Sequence, residues 1–161
     1  MDDGDFFSAV ARASNSGILL DLHNLWCNER NGRQRVADVL NQLPLADVWE
    51  IHFAGGMDES GYWIDAHSGA VPPEVLEIAV NLIPRLPNLG ALIFEVLPQY
   101  LPRFGCDGVQ RQIEALHQLW TLRSPTVLRI ASNVDPPNCN MMATLDDASK
   151  SQIENTRSQA P

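Results

Sequence analysis

Three of the four histidines in this chain stand close to a carboxylate. Asp21 and His23 are two residues apart, as are Asp65 and His67. On an extended backbone, residues at that spacing point to the same side. His52 lies near the end of the apolar-rich run Val48-Trp-Glu-Ile-His-Phe53, and Glu95 follows the apolar residues Ala91-Leu-Ile-Phe94. Imidazole nitrogens with carboxylate oxygens and no thiolate are a donor set for iron, manganese or zinc. A mixed set of this kind with open positions also serves non-haem iron oxygenases. Taken singly, a histidine in a strand reads as hydrogen-bonded packing, and Glu95 as half of a buried ion pair. Their common placement at the ends of apolar runs favours a shared metal site.

The other chemistry-bearing residues support less. Cys27, Cys106 and Cys139 are far apart, with no CxxC spacing, which argues against a disulfide framework or a thiolate zinc site. Cys27 is close enough to His23 for a Cys–His pair, but a small buried apolar role is the simpler reading. Ser60 and Ser68 lack the strand-turn-helix context of a hydrolase nucleophile. His117 lies inside a helical segment and reads as surface or helix packing. Trp26, Trp49, Trp63 and Trp120 read as core or rim.

The elements that must position these groups alternate. Residues 5–14 read as a helix with Phe6, Val10 and Ala13 on one face, stopped at Asn15-Ser16-Gly17 with Gly17 as its left-handed cap. A strand over about 17–23 follows, then a loop ending at Asn31-Gly32. Residues 33–43 form a helix through Val36, Val39, Leu40 and Leu43, ended by Pro44. A second strand at 48–53 closes on Ala54-Gly55-Gly56, where the glycines allow a sharp turn. An extended piece at 62–67 precedes a helix over about 73–84, opened by Pro72 and Pro73. A third strand at 91–96 and a last helix around 108–122 complete the series. Strand-to-helix alternation with short loops predicts an α/β fold with a parallel sheet. The carboxyl ends of such strands are where active sites form. No glycine-rich phosphate loop follows any strand.

The chain has 161 residues, 45% hydrophobic and 19% charged, which suits one globular domain. A formal charge of −9 argues against a broad basic footprint for nucleic acid. It suits a protein that gathers carboxylates around cations. No apolar stretch approaches the roughly 20 residues of a membrane span. The opening Met1-Asp2-Asp3-Gly4-Asp5 is acidic where a secretion signal is basic and then apolar. A cytoplasmic protein without membrane contact is the expectation. Residues 124–161 lose all periodicity and read as a disordered tail, with Val127-Leu-Arg-Ile130 as a weak strand candidate.

Four segments occur in order: Gly17-Ile-Leu-Leu-Asp-Leu-His-Asn-Leu25, Glu50-Ile-His-Phe-Ala-Gly-Gly56, Trp63-Ile-Asp-Ala-His-Ser-Gly69 with Val71-Pro72, and Ile93-Phe-Glu95. They resemble the multinuclear non-haem iron-dependent oxidative enzymes, the family containing the methanobactin-biosynthesis oxygenase, over about residues 5–122. The resemblance implies a TIM-type (β/α)8 barrel with two or three iron ions at the carboxyl ends of its strands. It also implies oxidative modification of cysteine in ribosomally made peptides, with a small partner protein presenting the peptide. Carried over by position, Asp21, His23, His52, Asp65, His67 and Glu95 correspond to the late metal ligands. Asn24 corresponds to a supporting neighbour. The His23 position is often Asn in the family, and either residue can coordinate.

Members are nearly twice this length. Residues 1–123 match only the last three strands with their helices, a partial TIM-type barrel without the amino-terminal half. The chain then reads as the iron-binding part of a peptide-modifying oxidase, weakly active or inactive alone. Zinc or manganese are the other candidate metals. The competing reading is a non-catalytic half-barrel that docks to a partner or self-associates through its open sheet edge.

Overall fold

The structure, a computed structural model, describes residues 3–123. Helix α1 (Asp3–Ser14) leads into β1 (Ile18–Asp21), followed by α2 (Leu22–Arg30), α3 (Val36–Gln42) and β2 (Val48–Ala54). The hairpin strands β3 (Met57–Glu59) and β4 (Tyr62–Ile64) precede α4 (Pro73–Leu82), β5 (Ala91–Glu95) and α5 (Leu101–Trp120). Strands β1, β2 and β5 form one parallel sheet in the order β1-β2-β5. The expected mixed α/β fold with adjacent parallel strands is present. No barrel closes among the described residues. None of their helices is long and apolar enough to cross a membrane. The tail at 124–161 and the candidate strand at 127–130 lie outside the described residues.

Register divides the sheet into two unlike faces. Leu20 pairs with Ile51, Ile51 with Leu92, and Phe53 with Phe94. These residues face the core, where Leu20, Ile51 and Phe53 are buried beside Val39, Val75, Leu82 and Leu86. With side chains alternating along each strand, the other face carries Leu19 and Asp21, Glu50 and His52, and Ile93 and Glu95. Leu19 on that face is 53% exposed. The helices therefore cover one side of the sheet and leave the carboxylates and imidazoles on the other. Alternation was masked in the sequence because Ile18-Leu-Leu20 reads as uniformly apolar.

Local sequence decides several boundaries differently from the periodicity. The first strand ends at Asp21 and not at His23, because the Asp21 carboxylate accepts the Asn24 N–H at 2.8 Å and caps α2. An aspartate before a helix satisfies an amide that otherwise has no partner. Leu22 and Leu25 then lie one turn apart and are buried, so the expected loop is helix α2. Helix α1 exists, but Phe6 and Val10 are exposed and its buried residues are Gly4, Ser8 and Ala11. Small residues let α1 approach α3 closely, and Ser8 Oγ donates to the Gln42 carbonyl at 2.8 Å. Asn15, with φ 52°, takes the left-handed position assigned to Gly17. Gly17 instead lies against the Trp49 ring, where a Cβ would overlap the indole.

The extended piece at 62–67 is a strand only to Ile64, the outer arm of a hairpin turned at Ser60 and Gly61 (φ 55° and 88°). Positive φ at both central residues is the turn geometry that matches strand twist. The last helix starts earlier than its periodicity suggests, at Leu101, with a kink at Gly105 (φ 72°, ψ 166°).

Gly55 follows β2, but its φ is not left-handed. Its role is close approach: a Cβ there would overlap the Ala70 carbonyl oxygen and lie 2.6 Å from the Gly69 carbonyl carbon. Gly55→Ala is expected to cost about 1–3 kcal/mol, as overpacking against backbone does. The urea midpoint measures it, and an unchanged midpoint would refute the close-approach argument.

Candidate metal centre

Four segments converge at the carboxyl end of the sheet. Asp21 ends β1 and is in register with His52 of β2, while Glu95 ends β5 in register with Ala54. Asp65 and His67 come from the loop after β4, which folds back over the strand ends. That loop is pinned by backbone. Ser68 N–H donates to the Gly55 carbonyl at 2.9 Å, and the His67 carbonyl accepts from Leu97 N–H at 3.0 Å. Ser68 Oγ donates to the Gly56 carbonyl at 2.9 Å. His67 itself has φ 48°. A left-handed conformation at a residue with a side chain costs roughly 1–2 kcal/mol and concentrates at functional sites.

The side chains form one continuous chain of contacts. His23 Nδ1 is 2.6 Å from Asp65 Oδ1, which lies 3.3 Å from His67 Nε2. His67 Nδ1 is 3.4 Å from Glu95 Oε2, and the other Glu95 oxygen is 3.1 Å from His52 Nδ1. His52 Nε2 reaches Glu50 Oε1 at 2.5 Å. All six predicted positions therefore gather at one end of the sheet. The tightest group suited to a cation is Asp21, His67 and Glu95, whose ligand atoms lie within 4.8 Å of one another. Oxygen, nitrogen and oxygen at that spacing fit a divalent metal without thiolates. Asn24 has a supporting position: its Nδ2 is 3.5 Å from Asp65 Oδ2.

Sequence reasoning missed Glu50, Trp63 and Asn31. Glu50 was legible, standing two residues before His52 on one strand and hence on the same face. Asn31 was not, since it acts from a distance: its Nδ2 donates to the Trp63 carbonyl at 2.8 Å, and its Oδ1 accepts the Trp63 N–H at 2.9 Å.

The electrostatics are those of an acidic nest. Burial raises Asp21 above the usual carboxylate range, and the nearby Asp65 charge adds to this, while the Asn24 amide opposes it. For Asp65, burial also pushes upward, but the hydrogen bond from His23 and the other groups around the carboxylate, His67 and Asn24, hold it below that range. Burial pulls His52 down; its bonds and charges with Glu50 and Glu95 outweigh this and raise it.

Cys27, buried one turn after His23, is pushed up to about 12 by burial and then by the Asp65 and Asp21 charges. It stays a thiol, which fits the small buried role and argues against a thiolate–imidazole pair. At pH 8, iodoacetamide is expected to modify exposed Cys106 in the native chain and spare Cys27. The rise from 9.0 to about 12 leaves roughly a thousandfold less thiolate. Peptide mapping by mass spectrometry reads the result, and equal labelling of both cysteines would contradict it.

A parallel α/β sheet ending in clustered carboxylates and imidazoles defines a protein with a candidate metal centre at its strand ends. A family model described as RiPP precursor modification enzyme MbnB/TglH/ChrH matches residues 1–99, and the chain belongs to that family. The match agrees with the resemblance read from the four motifs, and it stops after β5, short of α5. Among curated relatives, a UPF0276 protein of Chromobacterium violaceum is 36% identical over 93 residues, covering 58% of this chain and 34% of the relative. One from Anaeromyxobacter sp. is 33% identical over 93 residues, covering 58% of this chain and 33% of the relative. One from Streptomyces avermitilis is 32% identical over 93 residues, covering 58% and 19%. The matched region thus spans about a third or less of these relatives.

Proposed function

We propose that residues 1–123 are the carboxyl-terminal segment of a (β/α)8 barrel and supply the late part of an iron centre in a peptide-modifying oxidase. The supporting observation is the convergence of Asp21, His67 and Glu95 donor atoms within 4.8 Å, at the carboxyl ends of parallel strands. His52 and Asp65 adjoin that group through Glu95 and His67 and extend the ligand set. Iron held there would supply dioxygen activation and electron transfer. The protein's own part is to hold ligands in place and to present a cysteine-containing peptide of ribosomal origin, with a partner protein delivering it, in the cytoplasm. No side chain in the cluster stands apart as a general base, so coordination and positioning are its contributions.

Metal analysis tests the reading. The chain is loaded anaerobically with equal iron, zinc and manganese, alone and with a co-expressed amino-terminal barrel portion, then desalted. Iron retained above the other two in the combined sample is expected. Background metal in both samples would sink the proposal, and zinc or manganese in place of iron would reassign the centre.

A second reading is favoured by the surface. Leu19 and Trp49 are more than half exposed, and β1 and β5 each have a free edge among the described residues. Such edges and apolar faces invite association, so a half-barrel that docks or self-associates without turnover is the alternative. A well-folded monomer in sedimentation that ignores the amino-terminal portion would count against docking, and association without peptide oxidation would favour it over the oxidase.

A further inference from the structure

His23 was placed with the metal ligands by sequence position, and its surroundings give it other work. The capping of α2 by Asp21 puts His23 in the first helical turn, where its side chain is fully buried. A buried imidazole needs partners for both nitrogens. Nε2 lies 3.2 Å from the Trp63 indole nitrogen, which can only donate, so Nε2 is the acceptor and the ring proton sits on Nδ1. Nδ1–H then donates to Asp65 Oδ1 at 2.6 Å. Cys27 Sγ lies 3.6 Å from Nε2 and 3.8 Å from Nδ1 and packs against the ring without singling out either nitrogen.

The walls are equally closed. Trp26 stacks on the His23 ring with centroids 5.9 Å apart and planes at 27°, and its indole meets Trp63 edge-on at 5.4 Å. The Arg30 guanidinium lies 5.3 Å from the Trp26 ring and 5.0 Å from the Trp63 ring. Asn31 fixes the Trp63 backbone through both its amide atoms. Neither His23 nitrogen has a lone pair left to face Asp21, His67 and Glu95.

We propose that His23 is a positioning residue and not a metal ligand. Trp63 N–H sets its tautomer, and its Nδ1–H fixes the Asp65 carboxylate beside His67. Groups that orient ligands in this way hold ring direction and carboxylate rotamer without touching the ion. The role rests on the metal-centre reading above; the hydrogen-bond assignment does not.

The test uses the uniformly 15N-labelled 161-residue chain and long-range proton–nitrogen correlation of the histidine rings, before and during addition of Zn(II). Expected is a neutral His23 protonated on Nδ1, whose nitrogens do not move to metal-bound positions while those of His67 do. A His23 nitrogen that coordinates zinc, or an Nε2–H tautomer, would overturn the proposal. If no imidazole responds to zinc, the metal-centre reading falls and takes the positioning role with it, even with the tautomer as assigned. Trp63→Phe removes the N–H together with part of the ring that meets Trp26 and Arg30. It is expected to weaken zinc binding about 10-fold without changing the number of coordinated imidazoles. Unchanged affinity in that variant, with the fold intact by the same spectra, would also overturn it.

Discussion

His67→Ala is expected to weaken divalent-metal binding by about 100-fold, the upper end of what losing even a supporting residue costs. His67 is the side chain through which the two halves of the cluster meet, with Asp65 on one nitrogen and Glu95 on the other. Without it the Asp21 and Glu95 carboxylates face each other with no nitrogen donor between them. The backbone supplies an internal control. At φ 48° an alanine carries the same left-handed penalty as histidine, whereas glycine does not. His67→Gly is therefore expected to lose metal as His67→Ala does, yet to be about 1 kcal/mol more stable than the alanine variant. Chelator competition measures the first quantity and a urea midpoint the second. Metal affinity near that of the unsubstituted chain in either variant would remove His67 from the centre.

The second large effect is on turnover. With iron and dioxygen, the 161-residue chain alone is expected to leave a cysteine-containing peptide unoxidised, and a barrel completed with an amino-terminal portion is expected to oxidise it. Two facts carry this. The matched region spans about a third of the Chromobacterium and Anaeromyxobacter relatives. The described sheet also has three strands, with β1 and β5 at its edges. Closing a barrel needs more strands than that, and the open face that bears Asp21, His52 and Glu95 would be walled only by what completes it. Fewer preorganised ligands mean weaker metal binding. Mass spectrometry of the peptide after incubation decides the matter, and modification by the chain alone would refute the expectation.

Much of this architecture was legible in local pattern. Apolar runs bounded by Gly, Pro and Asn located β1, β2 and β5 within a few residues, because a buried parallel strand must be apolar and short. Val36, Val39 and Leu40 marked the buried face of α3 at helical spacing, and all three are buried. The family membership was legible too, since four motifs in fixed order carry more information than any one of them.

Sequence by itself determined which residues are available for chemistry: three carboxylates and three imidazoles near the carboxyl ends of apolar strands, with no thiolate among them. Side-chain type is intrinsic, and period-2 alternation ties Glu50 to His52 without reference to any other element. Tertiary structure decided which of these groups meet. The Asp21 cap turned His23 from a strand end into a helix, where Trp63, forty residues on, claims its Nε2. The pinned loop after β4 put His67 into a left-handed conformation that no local propensity favours, held by bonds to Gly55 and Leu97. Exposure of Phe6 and Val10 and burial of Gly4 and Ser8 on α1 were likewise set by what α3 presents. A hydrogen bond or a close approach needs two surfaces, and periodicity describes only one of them.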